Sequence, residues 1–392
     1  MKMYELSNQN MLPHCAAGTS EAQWMAVFEH LFPGQSKLLK QTPQDPIHHA
    51  EGDVWTHTKM VVNELLNHPQ YATKTPTEQS VLLCAAMLHD ICKPQTTKVQ
   101  DDGRVTAAGH SRQGAVWARA QLWEMGVDRP TREMICRLIS YHQSPFYAFA
   151  DRSGLSAEFL ARKISSDCNI SLLSVLAQAD MLGRICQDQQ ATLDNIALFD
   201  EQAKELDCWD QPYAFPDAPT RSRYILSHGK RDADTSVFLP EAFEVIVLSG
   251  LPASGKDTFC AQYDWPVLSY DDTRAKLGFK HGQGTGTIVH AVHDQARALL
   301  REKKSFIWNA THLSESMRQP ALNLIRQYGG SPTIVCLEAD KNELLSRNTQ
   351  RNSSLPNSKL LSMVNKWETP WSWEADHVRH VTPAPKMKKV LK

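Results

Sequence analysis

The stretch from Val245 to Thr258, VIVLSGLPASGKDT, constrains the fold of this chain more than any other. An apolar run leads into a glycine, four further residues, a second glycine and a lysine, and the helical pattern begins at Phe259. In a strand–turn–helix of this kind, backbone N–H groups surround a phosphate and the lysine adds positive charge. The alternative is a glycine-rich turn with a surface lysine. We predict a nucleotide-phosphate site formed by Gly250, Ser254, Gly255, Lys256, Asp257 and Thr258.

Asp257 departs from the usual form of this loop. A serine or threonine ordinarily follows the lysine, and its hydroxyl contacts Mg²⁺. Thr258 comes one place later and could take over that contact, so the sequence leaves the ligand open between Asp257 and Thr258. We expect Mg²⁺ and ATP, or another nucleoside triphosphate, as cofactor and phosphate donor.

The pattern of apolar residues changes along the chain. Residues from about 47 to 205 have helical spacing almost throughout, prolines punctuate 209–242, and strand–helix alternation follows. A chain of 392 residues also exceeds one ordinary core. We predict a multidomain protein, with an N-terminal all-α helical bundle (1–210), a linker (211–242) and a C-terminal α/β domain with a mainly parallel sheet (243–392). Strands are predicted at 244–249, 267–270, 305–309, 332–338 and near 377–382.

Composition excludes several classes of protein. The formal net charge is −1, so any nucleic-acid partner needs a local basic groove, because there is no global basic field. The nine cysteines include no Cys-x-x-Cys pair, which indicates small core residues in a reducing compartment. No apolar run approaches the length of a membrane span, and residues 1–10 lack the core of a signal peptide. We therefore expect a cytoplasmic protein without membrane association.

Polar residues follow the predicted second and third strands. Asp271 and Arg274 come after strand 2, where a carboxylate lies beside the phosphate loop and can accept a proton from an attacking hydroxyl. The alternative is a helix start capped by Asp271 or Asp272, with Arg274 in solvent. At the end of strand 3, Asn309, Thr311 and His312 could line an acceptor groove.

Two arginines lie on one face of a later predicted helix. Arg347 and Arg351 are four residues apart, and as a lid over the phosphates they could neutralise charge on the transferring group. The usual alternative for such a pair is a solvated basic face.

Together these features resemble the phage-type 5′-OH polynucleotide kinases over about residues 243–375. That family has a phosphate loop, Asp-x-x-Arg after strand 2, a polar end of strand 3 and a lid with two arginines. The resemblance implies that Lys256 and Arg351 contact the donor phosphates and that Arg347 is a second lid arginine. It also implies that Asp271 is the general base and that Arg274 binds the acceptor phosphate, with Asn309 and Thr311 in the acceptor groove.

The helical region carries residues typical of metal ligands. His89 and Asp90 end one apolar helix, and where the backbone turns both can reach one metal. A lone histidine on an apolar helix is more often a core residue, but several such groups favour a metal site. Imidazole and carboxylate suit Zn, Fe, Ni, Co or Mn, and the sequence does not choose among these divalent transition metals. The candidate ligands are His57, His89, Asp90, His110, His142 and Asp180.

This order of residues resembles the HD phosphohydrolase superfamily. The motifs are EGDVWTH (51–57), LHDICKP (88–94) and QAD (178–180). The resemblance implies that His57, His89, Asp90 and Asp180 hold a first metal. It assigns His110 and His142 to a second metal or to the substrate phosphate, so it leaves open whether the site holds one metal or two.

An HD domain followed by a polynucleotide kinase domain resembles the bacterial bifunctional end-healing enzymes called HD-Pnk. The resemblance implies phosphorylation of a 5′-OH end, and hydrolysis of a 2′,3′-cyclic phosphate, 3′-phosphate or 2′-phosphate end, of RNA or DNA. It implies an ATP-dependent polynucleotide ligase as partner and leaves a homodimer open. The alternatives are an HD nucleotidase or sensor coupled to a small-molecule kinase, or to an ATP-driven regulatory switch.

Overall fold

The computed structural model describes residues 12–150, 154–239, 243–280, 282–351 and 354–382. The chain divides into two compact units, Met1–Ala214 and Phe215–Lys392. Residues 211–242, which we predicted as a linker, include a helix, and from Phe215 onward they group with the second unit. The N-terminal ten residues, considered above for a signal peptide, lie outside the described residues. Within these ranges no helix is both long and apolar enough to cross a bilayer.

The first unit is built from helices, as predicted. It adds a small antiparallel pair, β1 (Lys98–Val99) and β2 (Val105–Thr106), which helical spacing did not indicate. A short 3₁₀ helix spans Ser144–Tyr147. The α-helices are α1 (Glu21–Leu31), α2 (Gln35–Lys40), α3 (Val54–Asn67), α4 (Pro69–Thr73), α5 (Pro76–Leu88), α6 (Lys93–Thr96), α7 (His110–Glu124), α8 (Arg129–Tyr141), α9 (Ala157–Ser165), α10 (Ile170–Leu182) and α11 (Gln189–Glu205).

Helices α5 and α10 form the centre of this unit. A capping box of Thr75 and Glu78 begins α5, and every residue from Ser80 to Leu88 is buried. Most of α10 is buried as well, so both helices are apolar on all sides, as central helices are. Because both helices are buried, the polar residues at their C-terminal ends also lie in the interior of the unit.

Gly183, directly after α10, allows close contact with α3. A Cβ atom at this position would lie 2.7 Å from the backbone nitrogen of Val61, well inside van der Waals contact. The close approach places the Gly183 carbonyl 3.1 Å from Nδ1 of His57. A side chain here would therefore push apart two helices that carry polar residues of the interior.

The second unit contains a five-stranded parallel sheet in the order β4-β5-β3-β6-β7. Each predicted strand is present, within about one residue at either end. The strands are β3 (Glu244–Ser249), β4 (Val267–Ser269), β5 (Phe306–Asn309), β6 (Ser331–Leu337) and β7 (His377–Val381). The helices are α12 (Ala218–Leu226), α13 (Lys256–Cys260), α14 (Tyr270–Lys276), α15 (Thr285–Arg301), α16 (Glu315–Gln327), α17 (Lys341–Thr349) and α18 (Asn357–Val364).

Strand β3 lies in the middle of the sheet and is buried from Val245 to Ser249. Val245 and Val247 pack into one apolar cluster, and Ile246 and Leu248 pack into another, so both faces of the sheet are covered. The chain runs from β3 to β4 and β5 on one side of it and then crosses to β6 and β7 on the other side. Ligands bind at such a change of direction in folds of this type. The carboxyl ends of β3, β4 and β5 therefore meet at the edge where polar residues were predicted.

The cysteines behave as core residues. All nine are free, and all except Cys186 are buried. Burial raises the pKa of the Cys15 thiol to about 11, which keeps it protonated at neutral pH. The expectation of small core residues is confirmed.

Asp200, on α11, provides a test of the first unit's packing. It is 7% exposed, and its Oδ2 accepts a hydrogen bond of 2.7 Å from Ser174 Oγ. Burial raises the pKa of this carboxyl from 3.8 to about 6. The folded protein thus binds the proton more tightly than the unfolded chain. The stabilisation of the folded state by the protonated Asp200 carboxyl is complete below pH 3.8 and is lost as the pH rises through about 6.

We expect Asp200→Asn to raise the free energy of unfolding at pH 7 by about 2 kcal/mol, because no charge is then buried. At about pH 4 the gain should be close to zero. Urea unfolding followed by circular dichroism at both pH values measures the difference. Asp194→Asn, an exposed change on the same helix, is the matched control. An equal gain at both pH values would contradict the explanation.

Candidate metal centre and candidate nucleotide site

Four histidines of the first unit point one ring nitrogen at a common centre. In each of them Nδ1 lies within hydrogen-bond distance of a backbone carbonyl. A carbonyl oxygen can only accept, so Nδ1 donates and Nε2 keeps its lone pair for the centre. The four pairs are His57 with Gly183 (3.1 Å), His89 with Ala86 (2.8 Å), His110 with Ala107 (2.7 Å) and His142 with Ile139 (2.8 Å).

Asp90 lies between two pairs of these imidazoles. Its Oδ2 is 3.3 Å from Nε2 of His89 and 3.7 Å from Nε2 of His57. Its Oδ1 is 3.3 Å from Nε2 of His110 and 4.0 Å from Nε2 of His142. Two clusters with ligand atoms within 4.8 Å of one another therefore share Asp90, so its carboxylate could supply one oxygen to each cluster.

Asp180 completes the centre from the end of α10. Its Oδ1 is 3.1 Å from Nε2 of His57, and its Oδ2 is 4.0 Å from Nε2 of His142. The structure thus brings all six predicted ligands together, and all are buried. Their role as metal ligands stays a prediction that this geometry favours.

The chemistry of the donor set fits a divalent cation. Oδ1 of Asp90 is buried without a hydrogen-bond donor among the described residues, and Lys93 Nζ forms an ion pair with Oδ2 at 2.7 Å. Burial would raise the pKa of Asp90, but Lys93 and His89 hold it well below its usual range. A charged, buried carboxylate with a free Oδ1 favours a further cation, and the imidazole lone pairs supply the remaining ligands.

The imidazoles are prepared for metal binding to different degrees. Burial lowers the pKa of His142 to about 3 and also lowers the pKa of His110, so both are neutral at pH 7. Burial acts in the same direction on His57, but the Asp180 and Glu51 carboxylates outweigh it and raise its pKa.

The sequence analysis did not assign roles to several residues around the centre. Glu51 lies 3.1 Å from Nδ1 of His57 and 2.8 Å from Nδ1 of His49. It therefore helps to orient the His57 ring from the side that faces away from the centre. Arg184 donates to both oxygens of Asp180 at 2.8 and 2.9 Å. Because Arg184 comes four residues after Asp180, this ion pair could have been predicted from the sequence.

A cavity of about 560 Å³ opens beside the centre. Lys93 and Arg184 contribute positive charge to its wall, and His110 is the member of the centre that lines it. Gln44 holds Lys93 through a hydrogen bond of 2.6 Å from Nζ to Oε1. An anion in this cavity would contact cationic side chains next to the candidate metal ions. The other polar and aromatic residues of the wall include His48, Ser111, Gln143 and Tyr147.

The phosphate loop of the second unit follows β3. Gly250 packs so closely that a Cβ atom would lie 2.4 Å from the Leu337 carbonyl oxygen, so no other residue fits. Gly255 and Ala253 have φ angles of 103° and 66°, which coil the chain into a loop. Lys256 Nζ donates to the carbonyls of Gly250 (3.0 Å) and Leu251 (2.8 Å) across that loop.

Lys256 is the cation of this loop. Burial lowers its pKa to about 8, while the neighbouring Asp257 carboxylate acts in the opposite direction. Ser254 is buried, and its hydroxyl oxygen has no hydrogen-bond partner among the described residues. Gly250 and Ser254 thus shape the loop, while Lys256, Asp257 and Thr258 line a cavity of about 1120 Å³.

The predicted acceptor and lid residues line the same cavity. Arg274 forms an ion pair with Asp271, and Arg347 Nε donates to Glu343 at 2.6 Å. The side chain of Arg347 is 14% exposed, so it is not on a solvated face. The predicted residues from these four sequence segments that line the cavity are Gly255, Lys256, Asp257, Thr258, Asp271, Arg274, Asn309, Thr311, Arg347 and Arg351.

One alternative and one expectation about this region are wrong. The N-cap of α14 is Ser269, whose Oγ accepts from the Asp272 backbone nitrogen at 3.1 Å, so neither aspartate caps the helix. His312 is buried rather than in the groove, and its Nδ1 lies 3.0 Å from the Leu248 carbonyl oxygen. Its ring thereby connects the turn after β5 to β3.

Comparison with known proteins agrees with this division of the chain. Residues 54–180 match the HD domain family, and residues 245–370 match the AAA_33 family of AAA domains. An L-seryl-tRNA(Sec) kinase of Methanococcus maripaludis is 25% identical over 142 residues, which cover 33% of this chain and 56% of that protein. The chain thus spans only about half the length of that relative.

A crystal structure of a candidate kinase from Chloroflexus aurantiacus is 19% identical, with a TM-score of 0.31, and covers 36% of this chain and 87% of that one. From the family matches and the kinase relative, the chain joins an HD phosphohydrolase domain to a P-loop kinase domain.

We expect Asp90→Asn to weaken metal binding by about a hundredfold or more, because it removes the charge that both clusters share. His110→Ala should lower the metal content by about half, since it removes a ligand of one cluster only. Plasma mass spectrometry after dialysis against matched free metal measures both. His30→Ala, on the exposed surface of α1, is the control. Wild-type metal content in Asp90→Asn would contradict the arrangement.

Proposed function

We propose that this protein is a bifunctional enzyme that repairs the ends of broken nucleic-acid strands. The kinase domain would transfer the γ-phosphate of ATP or another nucleoside triphosphate to a 5′-OH end. The HD domain would hydrolyse 2′,3′-cyclic phosphate, 3′-phosphate or 2′-phosphate ends. The observation that carries the proposal is the placement of Asp271 and Arg274 in one cavity with Lys256 and Arg351.

In the kinase domain, Asp271 is suited to act as the general base. The hydroxyl oxygen attacks the γ-phosphorus, the bond from phosphorus to the β-bridging oxygen breaks, and the hydroxyl proton passes to the Asp271 carboxylate. Lys256, Arg347 and Arg351 neutralise charge on the donor phosphates. When bound, Mg²⁺ supplies further positive charge to those phosphates.

Arg274 favours a nucleic-acid acceptor. It lies one helical turn from Asp271, so its guanidinium can bind a phosphate next to the hydroxyl that Asp271 deprotonates. A 5′-terminal nucleotide presents that combination, with a hydroxyl at one end and a phosphodiester at the other. A small uncharged acceptor would leave Arg274 without a role.

In the HD domain, the cationic wall of the 560 Å³ cavity is suited to a phosphate ester. Lys93 and Arg184 would hold its non-bridging oxygens beside His110. The six predicted ligands would hold divalent metal, which would supply Lewis acidity and activate water. Gln44, Glu51 and the backbone carbonyls keep Lys93 and the imidazoles in position for that chemistry.

A second candidate rests on the relative from Methanococcus. Its printed name gives a seryl group on a tRNA as the acceptor, so the kinase domain could phosphorylate a hydroxyl attached to RNA elsewhere than at a 5′ end. A small-molecule kinase and an ATP-driven switch are further alternatives. A polynucleotide ligase would be the partner that joins the repaired ends.

The kinase activity is tested with γ-labelled ATP and a 5′-OH oligonucleotide of RNA or DNA. We expect the wild type to label the 5′ end and Asp271→Ala to do so about a hundredfold to ten-thousandfold more slowly, because the base is missing. Asp294→Asn removes an exposed aspartate that also pairs with an arginine three residues away, and it should retain activity. No labelling by the wild type would contradict the kinase activity, and full labelling by Asp271→Ala would contradict the role of Asp271 as its base.

The HD activity is tested with RNA that ends in a 2′,3′-cyclic phosphate and a panel of divalent metals. The double variant His89→Ala/Asp90→Ala should lose hydrolysis with every metal, since it removes ligands from both clusters. Chromatography of the RNA products separates cyclic, monoester and hydroxyl ends. The idea fails if the double variant hydrolyses the RNA as well as the wild type.

A further inference from the structure

Asp257 carries a negative charge where phosphate loops ordinarily have a neutral hydroxyl. Its Oδ1 accepts a hydrogen bond of 2.8 Å from Asn309 Nδ2, at the end of the neighbouring strand β5. Its Oδ2 lies 3.9 Å from a guanidinium nitrogen of Arg351. The side chain is 78% exposed and lines the donor cavity, so the carboxylate is accessible there.

A carboxylate at this position has two opposite effects on a nucleoside triphosphate. Without a divalent cation, it repels the negatively charged phosphates, which the adjacent Lys256 has to counteract. With a cation between them, carboxylate oxygen and phosphate oxygen are both preferred ligands of Mg²⁺. A serine or threonine hydroxyl would give neither the repulsion nor a charged ligand.

The hydrogen bond from Asn309 distinguishes Asp257 from Thr258. An amide N–H on Oδ1 fixes the plane of the carboxylate and leaves Oδ2 facing the lid arginine. Since the amide is donated from a strand end, the ligand is positioned before a nucleotide arrives. Asn309, predicted above to contact the acceptor, is therefore assigned to positioning Asp257.

We propose that Asp257 is the protein's cation ligand in the donor site and makes nucleotide binding depend on that cation. The proposal rests on the proposed function of the loop as a donor site. Oδ2 of Asp257 lies 3.9 Å from the Arg351 guanidinium, so a metal cation bound to Oδ2 would compete with Arg351 for this carboxylate. The guanidinium would then be available to the donor phosphates.

The dependence on the cation is measurable without any acceptor. A fluorescent, non-hydrolysable ATP analogue is titrated into the full-length protein, once with Mg²⁺ and once with EDTA, and the ratio of the two Kd values is taken. The wild type should bind about a hundredfold more tightly with Mg²⁺. Asp257→Asn should reduce the ratio about tenfold or more, binding more tightly than the wild type in EDTA and more weakly with Mg²⁺.

Three further variants test whether the change in the ratio of Kd values is specific to Asp257. Asn309→Ala should also reduce the ratio, but less, because the carboxylate remains. Asp294→Asn, an exposed aspartate outside the cavity, should keep the wild-type ratio. Thr258→Ala should keep a large ratio. A wild-type ratio in Asp257→Asn, or its collapse in Thr258→Ala alone, would overturn the proposal.

This experiment is independent of the proposed acceptor. If the kinase acts on something other than a 5′-OH end, the ratio in Asp257→Asn still falls. If the analogue binds neither with Mg²⁺ nor with EDTA, the donor-site function of the loop is wrong, and the proposal about Asp257 falls with it.

Discussion

The burial of the Asp90 carboxylate is the constraint on which the first unit depends. Its Oδ1 has no hydrogen-bond donor among the described residues, and an isolated charge in an apolar core costs several kcal/mol. The surrounding structure offsets that cost with Lys93 and with four imidazoles held in one tautomer by backbone carbonyls. The apolar helices α5 and α10 bring His89, Asp90 and Asp180 together near their C-terminal ends. A centre built in this way favours cations.

The candidate site of the second unit differs from that of the first unit in its exposure to solvent. Its candidate site lies at the edge of a parallel sheet, where loops supply backbone N–H groups and side chains extend into an open cavity. The charges there are partly exposed and paired with one another, as Asp271 with Arg274 and Asp257 with Arg351. Such exposed pairs are weak, so incoming phosphates and cations can displace them at little cost. A buried candidate metal centre and an open candidate nucleotide site thus occur in one chain.

Much of this could be predicted from the sequence because the signals are local. Apolar runs placed the five strands, and the histidine–aspartate pair at a helix end indicated the metal centre. Contacts between distant segments could not be predicted in this way. Glu51 supports His57, and Asn309 holds Asp257, only because the fold brings separate segments together. Likewise, Ser269 rather than Asp271 caps α14, since both residue types are good caps and only the backbone path decides.

The central claim is that one chain carries out two separate phosphate reactions on nucleic-acid ends. It is tested most directly with a single RNA oligonucleotide that has a 5′-OH and a 2′,3′-cyclic phosphate, incubated with ATP and divalent metals and weighed by mass spectrometry. We predict that the wild type adds a phosphoryl group at the 5′ end and opens and removes the cyclic phosphate. Asp271→Ala should lose only the first change, and His89→Ala/Asp90→Ala only the second. An RNA unchanged at both ends, or one variant that abolishes both changes, would contradict the account.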